Sequence, residues 1–324
     1  MGIGIFGKRG IFFTFIAVML MAALIIIFSP STSINVANKP VVKTRVITLN
    51  DFVQDLENSY FESILKVSSH RAILAMASYM QSNNKFLADM QSGFSEAVLQ
   101  GAINGQSSTI MKNNTLNEWL ARMANFSEDT FNVDTQFTVN KVEIYQARPW
   151  FVDLRLNISF SVTSETASWE VTNFITNAEL SIEDFDDPYY IVNTNGNYIQ
   201  KINKTDVALD KWNLENVKSH IRYGTYAHFP DSRAPSFLMR FTNTSMASAC
   251  CGIESLVNPN KLANKDQMES YADYLFFNHS LQGKCTELYN ITDAPFRAEF
   301  PHFKLDFQHL VFYNISLQNT KRAC

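Results

Sequence analysis

The side chains best able to do chemistry in this chain are scattered rather than grouped. Gly93-Phe94-Ser95-Glu96-Ala97 approaches the nucleophile elbow G-x-S-x-G. It ends in alanine, however, and falls in a helical pattern with no strand before it, whereas the elbow needs strand, turn and helix. The acidic run Glu183, Asp184, Asp186 and Asp187 offers oxygen ligands of the kind calcium takes. Its spacing lacks the D-x-D-x-D-G form, so a solvated turn before Pro188 is the expectation. Asp184, Asp186 and Asp187 are the first place to look for a metal. The six histidines (His70, His220, His228, His279, His302, His309) show neither H-E-x-x-H nor paired ligand spacing. Asp306, between His302 and His309, is placed to cap a helix starting there. Gly2-Ile3-Gly4-Ile5-Phe6-Gly7 spells G-x-G-x-x-G, but no strand precedes it and an apolar segment follows, so the dinucleotide-binding context is missing. No catalytic residue and no cofactor is predicted.

The four cysteines, Cys250, Cys251, Cys285 and Cys324, all lie late in the chain. An even count in an exported region suggests two disulfides. Bridged Cα atoms normally sit farther apart than neighbours do, so a Cys250–Cys251 bridge is disfavoured. Two connectivities remain, each joining one of that pair to Cys285 and the other to Cys324. A four-thiolate metal site is the lesser alternative, because no C-x-x-C hook is present. Glycosylation sequons occur at Asn113, Asn125, Asn157, Asn203, Asn243, Asn278, Asn290 and Asn314, in modest excess over chance, which fits an exported surface.

From Ile11 to Phe28 the chain carries no charge, and at a helical rise of about 1.5 Å per residue this segment spans roughly the hydrocarbon core of a bilayer. Lys8 and Arg9 precede it, which places the short leader 1–9 inside and the bulk outside. The predicted partner is therefore a lipid bilayer, contacted through Ile11 to Phe28. A net charge of −4 argues against nucleic acid. The 26 phenylalanines supply ample core material. The surplus aromatics Trp150, Trp169, Trp212, Tyr189, Tyr190, Tyr223 and Tyr226 could line a sugar- or peptide-binding face, though packing is their default role.

The elements that must position these groups follow from periodicity. After a transmembrane helix at 10–29 and a proline-bearing connector at 30–47, a helix of about 30 residues begins near Thr48, with Leu49, Phe52, Leu56, Tyr60, Ile64, Val67 and Leu74 on one face. Asn83-Asn84 ends it. A second helix is expected at 85–99, and Thr115 with Glu118 forms a capping box for a third that ends near Asn125. The pattern then switches to period two. Trp150, Val152, Leu154, Leu156, Ile158, Phe160 and Val162 alternate with polar residues, the mark of an antiparallel strand with one covered face. Residues 137–145 pair with it as a hairpin, and 169–182 is a third strand, bulged near Phe174. Asn195-Gly196 predicts a hairpin between 189–192 and 198–202. Later expectations are a helix at 214–221, strands at 237–241, 271–277 and 303–307, and a helical turn or strand through 309–313. The fold class is α+β: a helix-plus-antiparallel-sheet domain at 48–203, then a disulfide-stapled mixed domain at 206–324.

Lys8-Arg9-Gly10 followed by Ile11-Phe12-Phe13 resembles the class III signal peptide of archaeal type IV pilin-like proteins. That resemblance implies cleavage between Gly10 and Ile11, an apolar helix that anchors or packs into a filament, and pilin-like subunits as partners. Phe15 stands where many pilins carry glutamate, and Pro30 and Pro40 would interrupt the helix; an uncleaved signal anchor is the other reading. A long helix followed by a meandering sheet is also the pilin order, over about residues 8–203. The segments 182–196, 237–257 and 271–277 resemble blocks in uncharacterised archaeal membrane-anchored surface proteins, which implies location and architecture and no activity. The expected function is a single-pass, extracellular structural or adhesive surface protein. A ligand-binding or sensor ectodomain and a tethered hydrolase are the alternatives.

Overall fold

The computed structural model describes Met19 and residues 34–244, 246–262, 268–278 and 287–324. The leader 1–9, the Gly10–Ile11 junction, the expected span apart from Met19, and the sites His279 and Cys285 lie outside the described residues. Among the described residues, no helix is long and apolar enough to cross a membrane. Contacts divide the chain into two units, Met1–Phe52 and Val53–Cys324, so the boundary expected near residue 203 falls inside a single unit.

Helix α1 (Ile34–Asp55) carries straight into a one-turn π-helix (Leu56–Tyr60) and then α2 (Phe61–Asn83). The connector expected at 30–47 is therefore helical from Ile34. Pro40 removes a single backbone donor near the described start of this long run, and neighbouring turns hold the helix through it. The π turn corrects the predicted face as well. Buried positions step from Leu56 to Phe61, five residues instead of three or four, and then continue through Ile64, Ser68, Ala72, Met76 and Met80. The extra residue rotates everything after it, which leaves Val67 exposed. Asn84, at φ 50°, terminates α2 as expected.

Helix α3 (Met90–Gln100) starts later than predicted, because Asp89 caps it by accepting from the Ser92 amide at 2.6 Å while the Leu87 amide donates to the Phe241 carbonyl at 2.9 Å. After a small hairpin, β1 (Ala102–Ile103) and β2 (Gln106–Ser107), helix α4 (Leu116–Phe131) carries the predicted capping box of Thr115 and Glu118. It runs past Asn125 and stops at Asn132, in the left-handed conformation. All but one of the non-glycine residues at positive φ are asparagines, the side chain that tolerates this region best after glycine.

Strands β3 (Asp134–Arg148), β4 (Phe151–Thr163) and β5 (Ser168–Ser181) form an antiparallel sheet in that order. The alternation of β4 is as read from sequence: Val152 through Val162 are buried, with Asp153 and Arg155 on the other face. The register slips where Ile158 faces Phe174 and Phe160 faces Val171, which places the expected bulge beside Phe174. Helix α2 lies on the inner face, with Phe61 seated among Phe137, Phe160 and Phe174 at 5.3–5.9 Å between ring centroids. The β3 edge is closed by one side chain. Gln91 donates to the Val142 carbonyl at 2.8 Å and accepts from the Ile144 amide at 3.0 Å, as a neighbouring strand would.

The predicted hairpin around Asn195-Gly196 is instead a helix, α5 (Pro188–Asn193), with Pro188 in its first turn and Asp187 as N-cap. Asn195 (φ 53°) and Gly196 (φ 72°) do turn left-handed, but they end the helix, and the Gly196 amide donates back to the Ile191 carbonyl at 2.8 Å. Beyond it come α6 (Leu214–Tyr223), α7 (Phe237–Arg240) and α8 (Asp273–Phe276). The last two replace strands predicted at 237–241 and 271–277. Strand β6 (Leu288–Ile291) pairs with both β7 (Lys304–Asp306) and β8 (Thr320–Arg322). Helix α9 (Ala294–Glu299) leads into β7, and α10 (Phe307–Phe312) follows it.

The cysteine expectation fails at its centre. Cys250 is bridged to Cys251, with Cα atoms 3.7 Å apart. A tight turn in which the Ser248 carbonyl accepts from the Cys251 and Gly252 amides brings both sulfurs against the Gln146 carbonyl oxygen, at 3.8 and 3.5 Å. Cys324 is also disulfide-bonded.

Candidate functional site

The extended segment Ile253-Glu254-Ser255-Leu256 runs through the interior of the second half. Single bridges to Ala227 and Ala272 hold it on either side. Consecutive side chains of an extended chain point in opposite directions. Glu254 and Ser255 therefore enter two different clusters, and both residues are fully buried.

On the Ser255 side, Arg240 is completely buried between Asp187 and Asp273, at 2.6 and 2.8 Å. Tyr226 donates to Asp187 at 2.6 Å, while the Ser255 amide and hydroxyl both donate to Asp273. The remaining guanidinium donors reach the Ile253 carbonyl, and the group stacks over Tyr189 at 4.9 Å. Burial raises the Asp273 carboxyl, and Arg240 beside it acts in the opposite direction. Burial would lower Arg240, but its two carboxylates hold its proton firmly.

On the Glu254 side, His309 stands between two carboxylates. Its Nδ1 lies 2.5 Å from Asp306 and its Nε2 3.5 Å from Glu254. Burial alone would depress the ring; Glu254 and Asp306 instead lift it to about 10, so it is an imidazolium at neutral pH. Asp306 is driven well below the usual carboxylate range by that imidazolium, against the opposing effect of its own burial. It also caps α10 as predicted, accepting from the His309 amide at 3.2 Å. Ser232 and Tyr313 donate to Glu254 at 2.9 and 3.1 Å. His220 lies nearby, facing Thr225 and Tyr313, and burial without a carboxylate pushes it down to about 3.

This wiring differs from that of a serine hydrolase. Ser270 donates to Asp306 at 2.6 Å and His309 meets the same carboxylate, so the acid sits between serine and histidine. A nucleophilic triad needs the histidine in the middle. Ser232, Glu254 and His309 repeat the acid-centred order. A cleft of about 310 Å³ borders this cluster, lined by Arg233, Glu269, Ser270, Tyr274, Glu287 and Asp306 among others.

The acidic run predicted from sequence does not act as a group. Asp187 turns inward to Arg240, Asp186 lies 3.8 Å from Lys201, and Asp184 is exposed at φ 69°. Among the described residues, no three His, Cys, Asp or Glu side chains gather to hold a metal. Gly93 and Phe94 are buried in α3, which no strand precedes directly. The proposed aromatic face does not form either: Tyr189, Tyr190, Trp212 and Tyr226 are core residues, and Tyr223 alone among them is well exposed. Of the sequons, Asn113, Asn125, Asn203, Asn243 and Asn314 are exposed, while Asn157, Asn278 and Asn290 are half-buried. Asn314 donates to the Trp212 carbonyl.

Sequence reasoning missed Arg240, Glu254 and Asp273. Their signal was a lone charge inside an apolar run: Phe237-Leu238-Met239-Arg240-Phe241, Ile253-Glu254-Ser255-Leu256-Val257, and Tyr271-Ala272-Asp273-Tyr274-Leu275-Phe276-Phe277. Residues so placed are buried with their neighbours and must find partners there. Comparison with protein-family models, curated proteins and solved structures gave no match.

Proposed function

We propose that this chain is a membrane-anchored extracellular surface protein with a structural or adhesive role, assembling in the manner of a minor pilin-like subunit. The observation that supports it most is continuity. The helical run from Ile34 to Asn83 follows the apolar segment Ile11 to Phe28 in sequence, and its later part seats on a three-stranded antiparallel sheet. A spine of this kind couples a bilayer anchor to a displayed domain. The buried charges favour display over turnover, because each acid, base and hydroxyl that resembles a catalytic group is engaged by another interior group. The exposed sequons suit a surface that carries sugars.

N-terminal sequencing of the mature protein tests the reading. A start at Ile11 identifies a pilin-type leader, and a start at Met1 in the membrane fraction identifies an uncleaved anchor. A start at or beyond Ile34 means a secreted protein and defeats the proposal.

A further inference from the structure

The β7-β6-β8 sheet places three residues in one row. Asn290 of β6 is directly paired with Lys304 of β7 on one side and with Lys321 of β8 on the other. Directly paired residues put their side chains on the same face, and two strand spacings set the lysine backbones about 10 Å apart. The row forms the floor of a cavity of about 430 Å³, whose rim adds Arg297 from α9 and His302 from the following turn. Met268, Ile291 and Pro301 supply apolar patches, and Thr292 a hydroxyl. No carboxylate lines the cavity, although the chain as a whole carries a net charge of −4. Lys304 is 5 % exposed, so its charge is set deep in the wall, whereas Lys321 and Arg297 are exposed at the mouth and make no ion pair among the described residues.

Like charges lined up across strands repel one another. A concentration of cations without an acid in its wall is the arrangement that receives an anion. The cavity is far larger than one oxyanion and falls within the size range of small-molecule sites. Its lining is mostly polar, which suits a hydroxyl-rich carrier and gives an acyl chain little to lie against. From this geometry we infer that the Lys304–Asn290–Lys321 row is a binding site for an acidic saccharide, one whose carboxylate, sulfate or phosphate groups are met by Lys304 and Lys321 and steered in by Arg297. The site goes beyond the anchored surface role proposed above and does not depend on how the N-terminus is processed.

Titration calorimetry of the full-length chain in detergent tests the inference. The probes are an oligogalacturonate, a sulfated oligosaccharide, a neutral oligosaccharide of the same length, and inorganic sulfate alone. The acidic sugars should bind saturably, at least tenfold more tightly than the neutral sugar or sulfate, and should weaken as salt rises. The double variant Arg297→Gln and Lys321→Gln changes two exposed side chains, so circular dichroism should be unaltered while affinity for the acidic sugars falls at least tenfold. Equal affinity in the double variant overturns the inference. So does sulfate binding as tightly as the sugars, or preferential binding of anionic lipid vesicles through the same residues. Peptide mapping supplies an independent check, since a glycan on Asn290 itself would fill the cavity and exclude an outside ligand.

Discussion

Substituting His309 by glutamine should remove a pH dependence that no other shifted group supplies. The imidazole titrates near 6.5 when unfolded and at about 10 between Glu254 and Asp306. A group whose folded pKa is raised contributes its full stability below the unfolded value and loses it as pH climbs through the folded one. Each pH unit between those limits is worth about 1.4 kcal/mol, so the loss from pH 6.5 to 9.5 is on the order of 4 kcal/mol. The buried tyrosines Tyr190, Tyr226 and Tyr313 are raised by burial above an unfolded value of about 10, so they act only at still higher pH. Urea unfolding of the full chain at intervals from pH 7 to 9.5, followed by tryptophan fluorescence, isolates the effect. Wild type should lose stability steadily across that range, and His309→Gln should be nearly flat. The variant is also expected to be less stable at pH 7, because it leaves two carboxylates facing an uncharged amide. The test is therefore the slope and not the height. Parallel curves for the two proteins would refute the account of His309 as a buried imidazolium.

His220 should act on the acid side. Its folded value of about 3 means that stability is full above pH 6.5 and is lost as pH falls toward 3, so His220→Gln should flatten that limb in the same unfolding assay between pH 4 and 6.5. Arg240→Leu strands Asp187 and Asp273 together in the core and should cost about 3–5 kcal/mol by denaturant unfolding; a loss under about 1 kcal/mol would mean the two acids find other compensation. At Gly252 an added Cβ would stand 2.3 Å from the Ala234 carbonyl oxygen, so Gly252→Ala should lower stability by about 1–3 kcal/mol in a thermal melt, with local backbone shifts visible by NMR. Gln91→Ala reopens the β3 edge at Val142 and Ile144 and should cost about 1–3 kcal/mol, with faster amide exchange at Ile144 as the specific readout.

What was legible in the sequence was what periodicity and capping record locally. The alternation of β4, the bulge beside Phe174, the capping box at Thr115 and the Asp306 cap each depend on residues within a few positions of one another. The failures have long-range or combinatorial causes. Asn195-Gly196 specifies a left-handed turn, but whether a helix or a strand enters it was decided by Pro188 and by Asp187, whose carboxylate also faces Arg240 53 residues later. The π turn at Leu56–Tyr60 shifts phase without any composition signal, so the apolar stripe was traced down the wrong side of α2. The cysteine pair closed on itself because a turn around Ser248 presents both sulfurs together, which pair spacing alone disfavours. The charged core escaped notice because its members are far apart in the chain, and each looks like an isolated surface charge until its apolar neighbours are weighed.

Glu254 and Ser255 also perform a kind of proofreading. The stretch that holds them makes single bridges instead of a full ladder, so backbone pairing alone says little about its alignment. A slip of one residue would thrust the Glu254 carboxylate between Asp187 and Asp273 and leave the His309 imidazolium facing a neutral hydroxyl. Both errors bury unmatched charge, and the penalty arrives at once on two sides of the same strand. Threading in this irregular half is thus checked by a two-position electrostatic key, in a region where regular structure is too sparse to enforce it.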